Sequence, residues 1–268
     1  AVFTQLLDRH PATTAATSAS FYLGYLEFAR GDYAAAERRL AELLKQQNLP
    51  VEVRDEATVY LLWTVLEQGR SEEVCRALSK MLQAEPQPAA WPGAFLVRAG
   101  EACVGTDPAL ALKLFGRVNP EERELRQRAL LGRGELLARG GQTDAAFTAL
   151  REAIALAAEP VTTGRARARL GELLVAAGKP EQALIVFEEV ISNPASPDAA
   201  ARARLGLARI LAQQEDRLAA ANRQAMAVFI LSTDPQLCTE AMLLSIQLSL
   251  RLGRKDEAAS TWRELRQR

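Results

Sequence analysis

Apolar positions recur along this chain at the spacing of helix faces, and small residues interrupt them at regular places. The stretch ARLGELLVAAGKPEQALIVFEEVI, Ala168 to Ile191, keeps a helical pattern on both sides of Gly178 and sets Gly171, Gly178 and Ala183 along it. A glycine inside a helix costs about 1 kcal/mol relative to alanine, so each one needs a packing reason or a turn. Sliding this stretch along the chain recovers the same order of residues. Gly171, Gly178, Ala183 and Phe187 correspond to Gly24, Gly31, Ala36 and Leu40, and again to Gly134, Gly141, Ala146 and Leu150. The turn position recurs at Gly69 and Gly253 without the leading glycine, and Thr106 and Gln213 stand in for it in two degenerate copies. Successive turn positions lie 35 to 40 residues apart, and such a period marks a solenoid.

Each period has room for two helices. The first carries an apolar stripe and ends at the turn glycine, where a positive φ costs glycine little. The second opens on a helix former and a polar residue, then sets its alanine and its large apolar residue on one face. The early glycines, Gly24, Gly134, Gly171 and Gly206, precede the break by one or two turns, where antiparallel helices approach closely only if one lacks bulk. One glycine therefore serves packing and the other the turn.

At these positions the sequence resembles the tetratricopeptide repeat family. LGELLVAAGKPEQALIVFEEVI is similar to a nearly complete unit, with Leu170, Gly171, Gly178, Ala183 and Phe187 at signature positions. The proline that closes a unit matches Pro86 and, more loosely, Pro120, Pro160, Pro194 and Pro235. The family's unit is usually about 34 residues, so the extra length here falls in loops or helix ends such as NLPVEVRDE and SNPASPDAA. The resemblance implies an all-α, right-handed superhelical solenoid of about seven helical hairpins. We expect one domain over residues 1–268, with a partial unit at 1–13 and units near 14–50, 51–88, 89–122, 123–160, 161–197, 198–234 and 235–268. Phe3, Leu6 and Pro11 read as the tail of a preceding second helix, and TWRELRQR stops mid-helix, so both ends read as cut within a repeat.

The resemblance also implies a concave groove, lined mainly by first helices, that holds a peptide or a partner helix. Counting from each packing glycine places Phe21, Tyr25 and Phe28 there, then Val59, Trp63 and Leu66, then Leu96 and Cys103. Two readings stand for this aromatic and aliphatic set: packing between neighbouring first helices, or a surface that accepts a partner's apolar side chains. Further along, the same positions turn charged at Arg128, Glu135 and Arg139, then Arg165 and Glu172. The arginine-rich runs GRARARL and ARARLGLAR suggest a basic stripe, but glutamates within one turn favour a solvated face of local ion pairs. The lysine and asparagine carboxylate clamp of the family's chaperone-binding subclass is not visible, because Asn48, Asn119, Asn193 and Asn222 fall near turns or on a second helix.

Composition narrows the function classes. Hydrophobic residues make up 49% of the chain and charged residues 25%, enough to bury a core. Thirty-three basic and thirty-three acidic side chains cancel, which gives no reason to expect binding to nucleic acid or an anionic membrane. The longest apolar run, Ala225 to Leu231, is far shorter than the roughly 20 residues of a membrane span, and the first residues do not form a signal peptide. Cys75, Cys103 and Cys238 lie far apart, form no CxxC or Cys/His cluster, and read as buried small hydrophobes that do not fix a compartment. His10 is the only histidine and stands beside Pro11. No phosphate loop, GxSxG or HExxH is present, and the carboxylate pairs Glu121/Glu122 and Glu188/Glu189 are adjacent and point apart. We expect no enzyme activity, cofactor, metal or small-molecule substrate.

The expected function is a protein–protein interaction scaffold that binds a protein or peptide. The segment from Phe3 to Leu44, with a proline-bearing loop, an aromatic first helix and a GDY turn, resembles units of bacterial periplasmic proteins of envelope assembly. That favours a periplasmic or envelope location, with any targeting segment preceding residue 1. The alternative is a non-catalytic repeat segment of a larger cytoplasmic regulator or enzyme.

Overall fold

The computed structural model of the chain describes residues 2–9, 13–83 and 91–267. His10, Pro11 and Pro86 lie outside them. All regular structure among the described residues is helical, and it divides into two compact units, Ala1–Leu125 and Arg126–Arg268.

The first unit contains α1 (Val2–Arg9), α2 (Thr14–Ala29), α3 (Tyr33–Leu44), α4 (Val51–Glu67), α5 (Ser71–Met81), α6 (Gly93–Cys103) and α7 (Pro108–Gly116). Helix α8 (Arg123–Arg139) begins at its end and runs into the second unit. The second unit continues with α9 (Thr143–Leu156), α10 (Pro160–Ala176), α11 (Pro180–Ser192), α12 (Pro197–Leu211), α13 (Leu218–Leu231), α14 (Pro235–Arg251) and α15 (Lys255–Gln267). Within each unit consecutive helices pack against one another, and a first helix also packs on the next first helix, as α2 does on α4 and α10 on α12.

The turn glycines act as the sequence requires. Gly31, Gly69, Gly141, Gly178 and Gly253 all have positive φ, between 71° and 82°. Each closes its helix with a paired reverse bond: after α10, the Gly178 N–H donates to the Val175 carbonyl at 3.0 Å and the Lys179 N–H to the Leu174 carbonyl at 2.9 Å. Thr106 and Gln213 do not reproduce this backbone, since Ala157 is the only non-glycine with positive φ among the described residues. A side chain at positive φ costs roughly 1–2 kcal/mol, so those two connections are built differently. At Thr106 the N–H of Asp107 returns to the Cys103 carbonyl at 2.8 Å. After Gln213 a 3₁₀ turn, Glu215–Arg217, intervenes before α13. Pro160 and Pro235 open α10 and α14, where a missing N–H is harmless.

The packing glycines meet the large apolar residues of the repeat. A Cβ on Gly24 would stand 2.8 Å from Leu40, and one on Gly134 would stand 2.7 Å from Leu150. Phe187, fully buried, would collide with a Cβ on Gly171 of its own hairpin and with one on Gly206 of the next, so its ring fills a slot between α10 and α12. In the first unit Phe21, Leu40, Leu43, Leu49 and Ala57 make a core cluster; in the second, Ala201, Leu205, Val228, Leu237 and Ala241 do. Gln127 supplies a polar staple within the second unit. Its amide donates to the Ala153 carbonyl (2.9 Å) and Thr163 Oγ1 (2.7 Å) and accepts from the Glu159 N–H (2.8 Å), which leaves no part of this buried side chain unsatisfied.

Two cysteines are not free. Cys75 on α5 and Cys103 at the end of α6 form a disulfide, with Cα atoms 5.8 Å apart, while Cys238 is free and buried. The expectation that all three are simple buried thiols is corrected: the packing of α5 on α6 brings together residues 28 apart in sequence.

Candidate functional site

In the first unit, α2, α4 and α6 share a face built from aromatic rings. Tyr25 meets Tyr60 edge-on at 5.1 Å, Phe28 meets Tyr60 and Trp63 at 5.6 and 5.2 Å, and Trp63 reaches Phe95 at 5.8 Å. Phe3 of α1 stacks on Tyr22 at 5.7 Å. Such ring pairs add about 0.5–1.5 kcal/mol each beyond area burial and hold the side chains in fixed attitudes. The cluster borders a cavity of about 700 Å³, whose apolar wall is Phe21, Tyr22, Tyr25, Tyr60, Trp91 and Leu96. Glu56, Arg117, Asn119 and Glu122 stand at its polar edge, with the Arg117 guanidinium 5.4 Å over the Trp91 ring.

The counted positions divide along this face. Tyr25, 38% exposed, opens onto the cavity. Phe28 and Trp63 are half-buried among rings, and the Trp63 indole N–H donates to Glu67 at 3.2 Å. Phe21, Val59, Leu66 and Leu96 are buried. Phe21 and Leu96 give only an edge to the cavity wall, and Val59 and Leu66 are packing residues. Cys103 is buried in the disulfide and offers nothing to a partner. The reason is angular: one residue is 100° of helix, and the open side lies one position further round, at Tyr22 and Tyr60. Counting missed both, along with Trp91, which precedes α6. Burial pushes the Tyr60 phenol above the usual tyrosine range, and Tyr25 and Glu56 beside it add to that.

In the second unit the corresponding face is ionic. Arg169 of α10 bonds Glu135 of α8 at 2.7 Å and Glu172 at 2.8 Å. Glu172 reaches Arg202 of α12 at 3.3 Å, and Arg202 reaches Asp234, the N-cap of α14, at 3.7 Å. Burial works against the Arg169 charge, but Glu135 and Glu172 outweigh it and hold its pKa above the ordinary arginine value. Arg165 is exposed on the rim of a cavity of about 370 Å³ that Glu135, Arg169 and Arg202 also line, and it has no ion-pair partner among the described residues. Arg128 and Arg139 are exposed on α8. The expected pairing of arginines with nearby glutamates thus joins Glu135 and Glu172 through Arg169, a residue that counting did not select. Asn222, expected on a second helix, is buried on α13 and bonded to Ser245 and Ser249 at 2.7 and 3.2 Å.

Among the described residues no three His, Cys, Asp or Glu side chains gather as metal ligands, and no helix is long and apolar enough to cross a membrane.

Stacked helical hairpins with glycine-fitted contacts and broad side-chain faces define a helical-repeat scaffold. Profiles of the tetratricopeptide repeat match residues 168–235, 128–158 and 18–42. These matches place tetratricopeptide repeats in both units. Proteins of this family are in general non-catalytic scaffolds for protein–protein contacts. Solved structures share the fold. A tetratricopeptide repeat protein from Parabacteroides merdae is 18% identical with a TM-score of 0.62, over 94% of this chain and 92% of that one. Pseudomonas aeruginosa pilF is 21% identical with a TM-score of 0.58, over 81% and 92%. The C-terminal part of a repeat protein from Cytophaga hutchinsonii is 15% identical with a TM-score of 0.61, over 91% and 93%. No curated protein matches the sequence.

Proposed function

We propose that this chain is a non-catalytic scaffold that captures an extended segment of a partner protein on the aromatic face of its first unit. The observation that carries the reading is the open cavity bordered by Tyr22, Tyr25 and Tyr60, with the Tyr60 ring braced by Phe28 and Trp63 behind it and meeting Tyr25 edge-on. Tyrosine and tryptophan concentrate at binding hot spots because they offer large rigid surfaces with a polar tip. The partner-facing residues are Tyr25, Tyr22 and Tyr60, while Phe28 and Trp63 support Tyr60.

The Cys75–Cys103 disulfide supports an oxidising compartment, since such bonds persist outside the reducing cytoplasm. With the resemblance of the Phe3–Leu44 segment to envelope proteins, this favours the bacterial periplasm or envelope. A cytoplasmic regulator would carry Cys75 and Cys103 as thiols, so alkylation of unfractionated cells followed by mass spectrometry separates the two.

Selection of binders from a random peptide display library tests the aromatic face. Enriched peptides are expected to bind the intact chain and to lose at least about tenfold in affinity with Tyr25→Ala or Tyr60→Ala, equal to about 1.4 kcal/mol or more. Peptides indifferent to both changes would place the partner elsewhere.

A further inference from the structure

The aromatic cavity has two ends of different charge. At the α6 end Arg117 and Glu122 supply one charge of each sign. The Arg117 guanidinium lies 5.4 Å over the Trp91 ring, and the Glu122 carboxylate lies so close to Gly93, the first residue of α6, that a Cβ there would collide with it. At the other end stand Tyr22 and Tyr25, three apart on α2, and Glu56 and Tyr60, four apart on α4, so each pair shares one face of its helix. The Tyr25 and Tyr60 rings meet at 81° and make two walls of a corner. Glu56 is exposed and has no ion-pair partner among the described residues, and Arg117 is the only cation among those that line the cavity. From this geometry we infer that the tyrosine end of the cavity takes an arginine side chain of the partner, its guanidinium against the Tyr25 and Tyr60 rings and its N–H groups donating to the Glu56 carboxylate.

The inference rests on the proposed peptide site and names the side chain that site reads. Aromatic faces carry partial negative charge and attract cations. Burial first, then Tyr25 and Glu56, holds the Tyr60 phenol above the usual tyrosine range, so the negative field of Glu56 reaches that ring. A carboxylate or phosphate of a partner would meet this field and be repelled. An aliphatic side chain would strip water from Glu56 and return no hydrogen bond. A cation avoids both costs. Of the two long cationic side chains, arginine has a planar head that stacks on aromatic rings and bonds a carboxylate through two N–H groups, whereas the lysine ammonium is a more strongly hydrated point charge. The chain itself holds a guanidinium over a ring of the same cavity, Arg117 over Trp91.

Calorimetric titration of the whole chain with four capped seven-residue peptides tests this. They share serine and leucine flanks and differ only at the central residue, which is arginine, lysine, norleucine or glutamate. The arginine peptide is expected to bind at least about fivefold tighter than the norleucine peptide and about two- to threefold tighter than the lysine peptide, with the glutamate peptide weakest. Glu56→Gln changes one exposed side chain and should leave the unfolding midpoint in place. It should cut the preference for arginine over norleucine to less than about twofold and leave norleucine binding unchanged. Tyr25→Leu, which keeps apolar bulk and removes the ring, should lower the same preference about threefold. Equal affinities for the arginine and norleucine peptides overturn the inference. So do tighter binding of the lysine or glutamate peptide, an arginine preference that survives Glu56→Gln, and failure of all four peptides to bind. The aromatic face is judged separately: it stands if a library-selected peptide depends on Tyr25 or Tyr60 and falls if that peptide ignores both.

Discussion

The faces of α2, α4 and α6 in the first unit and of α8, α10 and α12 in the second come from the same repeat and carry opposite chemistry. In the first, tyrosine, phenylalanine and tryptophan rings lean on one another and on a cavity. In the second, Glu135, Arg169, Glu172, Arg202 and Asp234 form a continuous series of ion pairs. Beneath them the construction is the same: a packing glycine under a large apolar residue, and a turn glycine at positive φ. The repeat fixes what is buried and leaves the open face free. On the ionic face Glu135, Arg169, Glu172, Arg202 and Asp234 satisfy one another's charges, whereas the aromatic face presents Tyr22, Tyr25 and Tyr60 to an open cavity.

The comparison can be broken in order of expected effect. Replacing Cys75 and Cys103 with serine should destabilise the first unit by roughly 3–4 kcal/mol, from the loop the disulfide closes, and hardly alter the second. Local amide exchange reads the two separately. Trp63→Ala should cost about 2–3 kcal/mol in denaturant unfolding, because the ring is half-buried against Phe28, Tyr60 and Phe95. Tyr25→Ala should cost less than about 1 kcal/mol, which would separate the supporting ring from the contacting one. On the ionic face Arg169→Met should cost about 1 kcal/mol, and added salt should shrink that loss while leaving the Trp63→Ala loss unchanged.

The smallest effect is a titration. The folded pKa of Tyr60 is raised above the ordinary tyrosine value, first by burial and then by Tyr25 and Glu56. Its contribution to stability is therefore full below the ordinary tyrosine range and is lost as pH rises through its own higher value. Tyrosinate absorbance should show a late-ionising phase that Tyr60→Phe removes.

What was legible in the sequence was what hard-sphere geometry enforces locally. Gly31, Gly141 and Gly178 had to be turns, and Gly24, Gly134 and Gly171 had to sit under Leu40, Leu150 and Phe187. Where glycine was missing the turn was lost to view, as with the 3₁₀ turn after Gln213. The binding face was legible only to within one residue. Val59 and Tyr60 are neighbours in sequence, yet one is buried and the other borders the cavity, and apolar periodicity alone does not say where a stripe ends. The Cys75–Cys103 pair and the Glu135–Arg169 and Glu172–Arg202 contacts join residues on different helices, so only the stacking of hairpins reveals them.

The central claim is that partner recognition belongs to the aromatic face and not to the ionic one. Its most direct test is the affinity of one library-selected peptide for the intact chain, for Tyr25→Ala and for Arg165→Ala, each checked for an unchanged fold. The account predicts a loss of at least about tenfold with Tyr25→Ala and less than about twofold with Arg165→Ala. A peptide that ignores Tyr25 and depends on Arg165 would contradict it.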